Sequence, residues 1–225
     1  MKMGIIGLGN MGAAMAHGLL DNDIETFLYD RNKDKRDAFK IKEAARVVES
    51  EVDVVKGADA IILAVKPYAY EALIETIKDE VKDKIIISIT SAFDLKKLEE
   101  CLPNKKLMMA LPNTPAKILN SMTGICPGKN ISEEEVSEIR KILSSFGETE
   151  LVEEKNIKRL FFEAHWIYRN RLDEIRDFFK VPITFKTGIE TFDNDFRERV
   201  LRKGADFKDY REVQKYFDSP CVMVG

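Results

Sequence analysis

The sequence predicts an α/β fold: a parallel sheet with helices on both faces over residues 1–155, then a short, atypical α/β segment over residues 156–225. Three observations predict it. Apolar runs of 4 to 7 residues alternate with amphipathic stretches through the first part, the pattern of β-α-β units. The first of those runs leads straight into a glycine-rich turn and a helical pattern. Composition then shifts near Glu154–Asn156. Residues 1–155 hold 22 basic, 27 acidic and 7 aromatic residues; residues 156–225 hold 14, 12 and 13. That rise in aromatic density marks a boundary between two parts.

In chain order, the strands expected in the first part are Lys2–Gly7, Glu25–Asp30, Asp59–Val65, Lys84–Ile89 and Lys105–Leu111. Ala60–Val65 and Ile85–Ile87 are apolar throughout, as a strand covered on both faces must be. Helices are expected at Asn10–Leu20, Asp34–Phe39, Tyr68–Val81, Leu95–Cys101 and Glu133–Phe146. The last starts with Ser132 and carries Glu135 three residues on, a capping-box pattern, with acids at the positive end of the helix dipole.

Bulk properties exclude several classes. A chain of 225 residues with 44% hydrophobic and 33% charged residues has the makings of an ordinary core. Its net charge of -3 offers no attraction to nucleic acid or an anionic membrane. No stretch reaches the ~20 apolar residues of a membrane helix, and the N-terminus lacks a cleavage-site pattern, so a cytoplasmic protein is expected. Cys101, Cys126 and Cys221 are scattered and odd in number, which argues for reduced thiols rather than disulfides, and against a metal site.

The first strand runs into Gly7-Leu8-Gly9-Asn10-Met11-Gly12, a GxGxxG turn before a helix. Gly7 permits the tight turn, Gly9 lets backbone approach a pyrophosphate, and Gly12 lets the helix pack on the strand. The free N–H groups of that helix then face the phosphates. This context makes the first part a Rossmann-type dinucleotide-binding domain. Asp30 ends the second strand about 20 residues later, where an acid binds the adenosine ribose and favours NAD. Arg31 beside it is suited to a 2′-phosphate and favours NADP, or is a solvated loop charge. Both cofactors stay open.

Further segments carry a family resemblance: Ala64-Val65-Lys66-Pro67, Ser88-Ile89-Thr90-Ser91-Ala92, and Leu111-Pro112-Asn113-Thr114-Pro115-Ala116. With GIIGLGNMG they resemble the cofactor domain of pyrroline-5-carboxylate reductase, up to about Glu154. The resemblance implies reduction of 1-pyrroline-5-carboxylate to proline by hydride transfer from NADPH or NADH, the last step of proline biosynthesis. It implies a small imine as partner and a homo-oligomer. It also implies a cofactor site built from Gly7, Leu8, Gly9, Asn10, Met11 and Gly12, from Asp30, Arg31 and Asn32, from Ala64 to Pro67, from Ser91 and Ala92, and from Asn113 and Thr114. The plain alternatives are a solvated loop charge for Lys66 and a proline turn for Asn113–Thr114. Two positions depart from the family: Glu51 stands near an asparagine that helps hold the adenosine side, where a glutamate is a poorer neighbour for a 2′-phosphate, and Phe93 replaces a glycine in a loop near the nicotinamide, where its bulk would narrow the site.

The tail does not continue the resemblance. The family's helical dimerisation domain, with its SGSGPA run, has no counterpart after residue 150, so no residue is assigned to catalysis. Asn156–Lys180 instead predicts one long helix, with Leu160, Phe161, Ala164, Ile167 and Tyr168 on one face. A strand at Val181–Lys186, a turn at Thr187-Gly188, a helix at Asp195–Lys203 and a strand at Cys221–Val224 follow. Phe185–Gly204 is similar to part of the barrel of radical S-adenosylmethionine enzymes, without their CxxxCxxC cluster motif. His165 and Trp166 fit an aromatic helix face, and His17 a packing or surface role. The competing functions are a reductase of 1-pyrroline-5-carboxylate, a reductase of another substrate, and a dinucleotide-binding module without turnover.

Overall fold

The computed structural model describes residues 1–154, 160–163, 170, 172–174, 183–188, 207, 210–217 and 219–221. The chain divides into two compact units, Met1–Ile157 and Lys158–Gly225.

The first unit is an eight-stranded sheet flanked by helices. In chain order its elements are β1 (Met3–Ile6), α1 (Asn10–Asp21), β2 (Thr26–Tyr29), α2 (Lys33–Asp37), β3 (Ala45–Val47), α3 (Glu51–Gly57) and β4 (Ala60–Leu63). Then come α4 (Tyr70–Val81), β5 (Ile85–Ser88), α5 (Leu95–Cys101), β6 (Lys106–Leu111), β7 (Ser121–Pro127), α6 (Glu133–Leu143) and β8 (Gly147–Leu151). Short 3-10 turns cover Pro67–Ala69, Thr114–Ile118 and Ser144–Phe146. The spatial order is β3-β2-β1-β4-β5-β6-β7-β8. Strands β1 to β6 run parallel; β7 is antiparallel to β6, and β8 is parallel to β7. The α/β class and each strand expected in this unit are therefore present, shortened by one or two residues at their ends.

Period-two alternation divides the core between the two faces. Met3, Ile5, Ile62, Ile87 and Met108 pack with α1 and α6 on one face, together with Phe146. Ile6, Ile61, Leu63 and Ile86 pack on the other with α3, α4 and α5. Helix α4 presents Tyr70, Leu73, Ile74, Ile77 and Val81 to that face, the spacing of one helical stripe. Four elements were not expected from the pattern: β3, α3, β7 and β8. Strands β3 and β8 have no fully apolar run, and β7 reads Ser-Met-Thr-Gly-Ile-Cys-Pro, so their place comes from pairing with neighbours.

The capping box is formed as expected. Ser132 accepts from the Glu135 N–H, and Glu135 accepts from the Ser132 N–H at 3.0 Å. Lys106 on β6 donates to the same carboxylate at 2.6 Å. Lys106 first, and the Ser132 N–H second, hold the Glu135 carboxyl below its ordinary value of 4.5. A depressed carboxyl contributes stability above its unfolded value and loses it as pH falls through the folded value. Glu135→Gln keeps the box but loses the charge pair. It is expected to cost a few tenths to about 1 kcal/mol near neutral pH, and the difference from wild type should vanish well below pH 4.5. Urea unfolding at the two pH values checks this.

In the second unit, β9 (Leu160–Glu163), β10 (Ile183–Gly188) and β11 (Ser219–Cys221) form a parallel sheet in the order β11-β10-β9, with helix α7 at Tyr210–Gln214. Leu172, Phe207, Val213 and Phe217 are buried. Two expectations are corrected here. Asn156–Lys180 is not one long helix, because Leu160–Glu163 pairs with Ile183–Lys186 as a strand. A run of Leu-Phe-Phe satisfies either period over so short a length, and its aromatics favour the pleated surface. Thr187 and Gly188 are not a turn either; they continue β10 and pair with Pro220 and Cys221. The strand expected at Val181–Lys186 is present as β10, and the terminal one starts earlier, at Ser219. The helix expected at Asp195–Lys203, the pair His165 and Trp166, and residues 222–224 lie outside the described residues. Among the described residues, no helix is long and apolar enough to cross a membrane.

Candidate functional site

In this strand order the chain crosses from β3 back over to β4, so β1 lies between strands whose connections leave in opposite directions. Open α/β sheets bind ligands at such a switch point, outside the carboxyl ends of the strands. A cleft of about 590 Å³ opens there, at the ends of β1, β2, β4 and β5.

The glycine turn forms its floor. Gly7 has φ +102°, a conformation that disfavours any side chain. A Cβ on Gly12 would lie 2.0 Å from the Gly7 carbonyl oxygen and 3.0 Å from the Ala64 Cβ, so Gly12 lets α1 seat against the turn and the end of β4. Gly9 differs from both. Its backbone is extended (φ -72°, ψ -172°), and among the described residues a Cβ there would meet nothing within 4 Å. Nothing among those residues requires glycine at position 9, yet it borders the cleft.

Helix α1 also begins without a cap. Asn32, Ser50, Asp94 and Ser132 cap α2, α3, α5 and α6 with side-chain oxygens, but Gly9 offers α1 none. The first amides of a helix have no partner within it. At α1 they open at the floor of the cleft beside Asn10 and Met11, as an anion site requires.

Asp30 sits at the end of β2 with its carboxylate fixed by two backbone donors. Leu8 N–H reaches one oxygen at 2.7 Å and Asn32 N–H the other at 2.8 Å. This ties the glycine turn to the second strand. Arg31, Lys35 and Glu51 border the same end of the cleft. Arg36 does not: its guanidinium is buried, 2.7 Å from both the Asp30 carbonyl and Glu49, and lies over the Tyr29 ring at 5.4 Å. Burial, then the Glu51 carboxylate, pushes the Tyr29 phenol up.

At the other end, Ala64, Val65, Lys66 and Pro67 line the wall. Behind them Tyr70 is buried. Its hydroxyl donates to the Leu63 carbonyl at 2.6 Å and accepts from the Ile89 N–H at 3.3 Å, joining the ends of β4 and β5. Burial pushes its phenol up to about 12.

Of the residues singled out in the sequence, Gly7, Gly9, Asn10, Met11, Asp30, Arg31, Ala64, Val65, Lys66 and Pro67 border the one cleft. Gly12 is buried in the turn, and Leu8, also buried, lines a second cavity instead. Asn32 is spent on capping α2. Ser91 and Ala92 are exposed in the loop after β5, with the Ala92 N–H held by Thr90 at 3.2 Å. Asn113 Oδ1 accepts from the Met122 N–H at 3.0 Å and the Ser121 hydroxyl at 3.2 Å, anchoring its loop to β7; Thr114 is exposed beside it. Phe93 does not narrow the cleft. It is buried on the α4 side with its ring 5.2 Å from Tyr70, because an apolar ring gains more in that core than in the open loop. His17 is exposed and stacks on Phe39 at 4.9 Å.

The sequence reading passed over Lys35, Tyr68, Ala72 and Thr76, all of which border the cleft. Ala72 and Thr76 are one helical turn apart on α4, so helical spacing was the available signal for that pair.

Comparisons with known proteins agree with this geometry. Residues 2–92 match the family described as NADP oxidoreductase coenzyme F420-dependent. The pyrroline-5-carboxylate reductase of Escherichia coli is 32% identical over 162 residues, 69% of this chain and 60% of its own length. That of Methanosarcina acetivorans is 30% identical over 152 residues, 65% and 56% respectively. The structure of Plasmodium falciparum pyrroline carboxylate reductase with NADP bound has a TM-score of 0.63 at 28% identity, covering 70% of this chain and 59% of that one. The chain spans about 60% of the length of the curated relatives it matches. Over its N-terminal 70%, this chain is similar in sequence and in fold to pyrroline-5-carboxylate reductases.

Proposed function

We propose that the cleft binds NADPH or NADH and that the chain uses it to reduce 1-pyrroline-5-carboxylate to proline, as a cytoplasmic homo-oligomer. Gly9 carries the cofactor half of this reading: a glycine that the protein itself does not need, at the uncapped start of α1, makes room for a ligand's phosphates. The names of the similar enzymes supply the substrate half.

The bound dinucleotide would supply a hydride for the imine carbon. The chain's own residues bind and orient it. The α1 amides and Gly9 would hold the pyrophosphate; Asp30, which keeps the turn in register with β2, would accept from the adenosine ribose. Ala64 to Pro67 border the cleft with Ile89 and Thr90, the residues before Ser91 and Ala92, and would meet the nicotinamide. Asn113 keeps the Thr114 loop seated on β7, and its amide nitrogen faces no described partner among its hydrogen bonds.

A second reading, a dinucleotide-binding module without turnover, is favoured by one observation: the chain matches about 60% of the relatives' length. The test is pyrroline-5-carboxylate-dependent oxidation of NADPH and NADH by the full chain, with binding measured in parallel. Turnover supports the reductase; binding alone supports the module. Gly9→Ala should leave stability within about 1 kcal/mol of wild type, because φ and ψ suit alanine and the methyl group meets nothing. It should weaken binding of either dinucleotide by about tenfold or more, about 1.4 kcal/mol. Unchanged affinity would place the phosphates elsewhere.

A further inference from the structure

At the end of the cleft between α3 and the end of β2 stand two carboxylates, Asp30 and Glu51, and two bases, Arg31 and Lys35. Asp30 is only 15% exposed, and its orientation is set by the Leu8 and Asn32 amides. Glu51, the first residue of α3, is half-buried and borders the same cleft beside Tyr29. Its carboxylate acts on the Tyr29 phenol more strongly than Arg36 or Arg31 does. The bases there are placed differently. Arg36 is committed to Glu49 and the Asp30 carbonyl, Arg31 is exposed, and the Lys35 ammonium lies 3.8 Å from Asp30, where its charge is already opposed.

Building on the dinucleotide reading, we propose that Glu51 is a selectivity residue that, together with Asp30, turns this cleft toward NADH and against NADPH. The physical contrast lies in the 2′ position of the adenosine ribose. A 2′-hydroxyl is a donor, which a carboxylate accepts. A 2′-phosphate is acceptor-only and adds about -1.5 to -2 charge. It would enter an end of the cleft that holds the Asp30 and Glu51 carboxylates, where Lys35 is already paired with Asp30 and Arg31 is exposed. Like charges brought together there disfavour one another more as water is excluded.

The experiment titrates the full chain with NADH and with NADPH, following nicotinamide fluorescence, for wild type, Glu51→Gln and Arg31→Ala. NADH should bind wild type about tenfold tighter or more. Glu51→Gln should tighten NADPH by about threefold to tenfold and change NADH by less than about twofold, because it removes a repulsion felt by the 2′-phosphate alone. Arg31→Ala should leave the preference for NADH in place. Tighter binding of NADPH by wild type, lost in Arg31→Ala and indifferent to Glu51→Gln, would overturn the proposal and give the site to Arg31. If neither dinucleotide binds wild type, the dinucleotide reading itself fails, and this inference falls with it.

Discussion

Gly12→Ala is expected to cost about 3 kcal/mol or more, lowering Tm by roughly 6–12 °C, and to abolish dinucleotide binding. The added Cβ would lie 2.0 Å from the Gly7 carbonyl oxygen, and the obstruction is backbone, not a side chain that can swing away. Gly7 is itself tied into the sheet, its N–H donating to the Tyr29 carbonyl oxygen at 2.7 Å. Relief would require α1 to lift off the sheet, pulling Met15, Ala16 and Leu19 out of the core. Thermal unfolding alongside nucleotide titration checks this. The contrast with Gly9→Ala is the sharper test of the site: packing requires the glycine at position 12, whereas at position 9 only the proposed ligand does. A mild effect at Gly12 would show that the turn is looser than its contacts indicate.

Tyr70→Phe is expected to lower stability by about 1–3 kcal/mol, although only one oxygen is removed. That oxygen serves the Leu63 carbonyl and the Ile89 N–H at once, in a fully buried position between two strand ends. The ring contact with Phe93 survives the change, so the loss reports the hydroxyl. Because Leu63 and Ile89 lead into the Ala64–Pro67 and Thr90–Ala92 loops, dinucleotide affinity should fall too, by a few-fold. The pH dependence has a definite sign. An acid whose folded pKa is raised contributes stability fully below its unfolded value and loses it as pH rises through the folded value. With the Tyr70 phenol raised from 10.0 to about 12, the difference between wild type and Tyr70→Phe should hold below pH 10 and shrink above it. A difference that grows above pH 10 would contradict the burial and bonding of this hydroxyl.

Much of the first unit was legible because its signals are local. Ile61, Ile62 and Leu63 need cover on both faces wherever they fold, and only a central parallel strand provides it. The roles of Gly7 and Gly12 follow from a tight turn between a strand and a helix, and Ser132 with Glu135 closes its box within a single turn. The corrections fall where a residue's partner lies far along the chain. Phe93 looked like an obstacle in a loop, but Tyr70, 23 positions earlier, offered it a core. The anchoring of Asn113 was likewise hidden: its oxygen accepts from Met122 and Ser121 on β7, a strand whose sequence has no clear period. Leu160–Glu163 carried a pattern equally good for helix and strand, and β10 decided between them.

Local chemistry was therefore enough to predict an α/β fold, a tight glycine turn between strand and helix, and the strand ends beside it. A turn, a cap or a four-residue apolar run carries its own physical requirement. Contacts between distant segments settled the rest: β7 and β8 at the far edge of the sheet, the placing of Glu51 opposite Asp30 in one cleft, and the diversion of Arg36 away from it. Such features depend on which donors, acceptors and charges come within a few ångströms of one another once the sheet has formed, and no spacing along the chain encodes that.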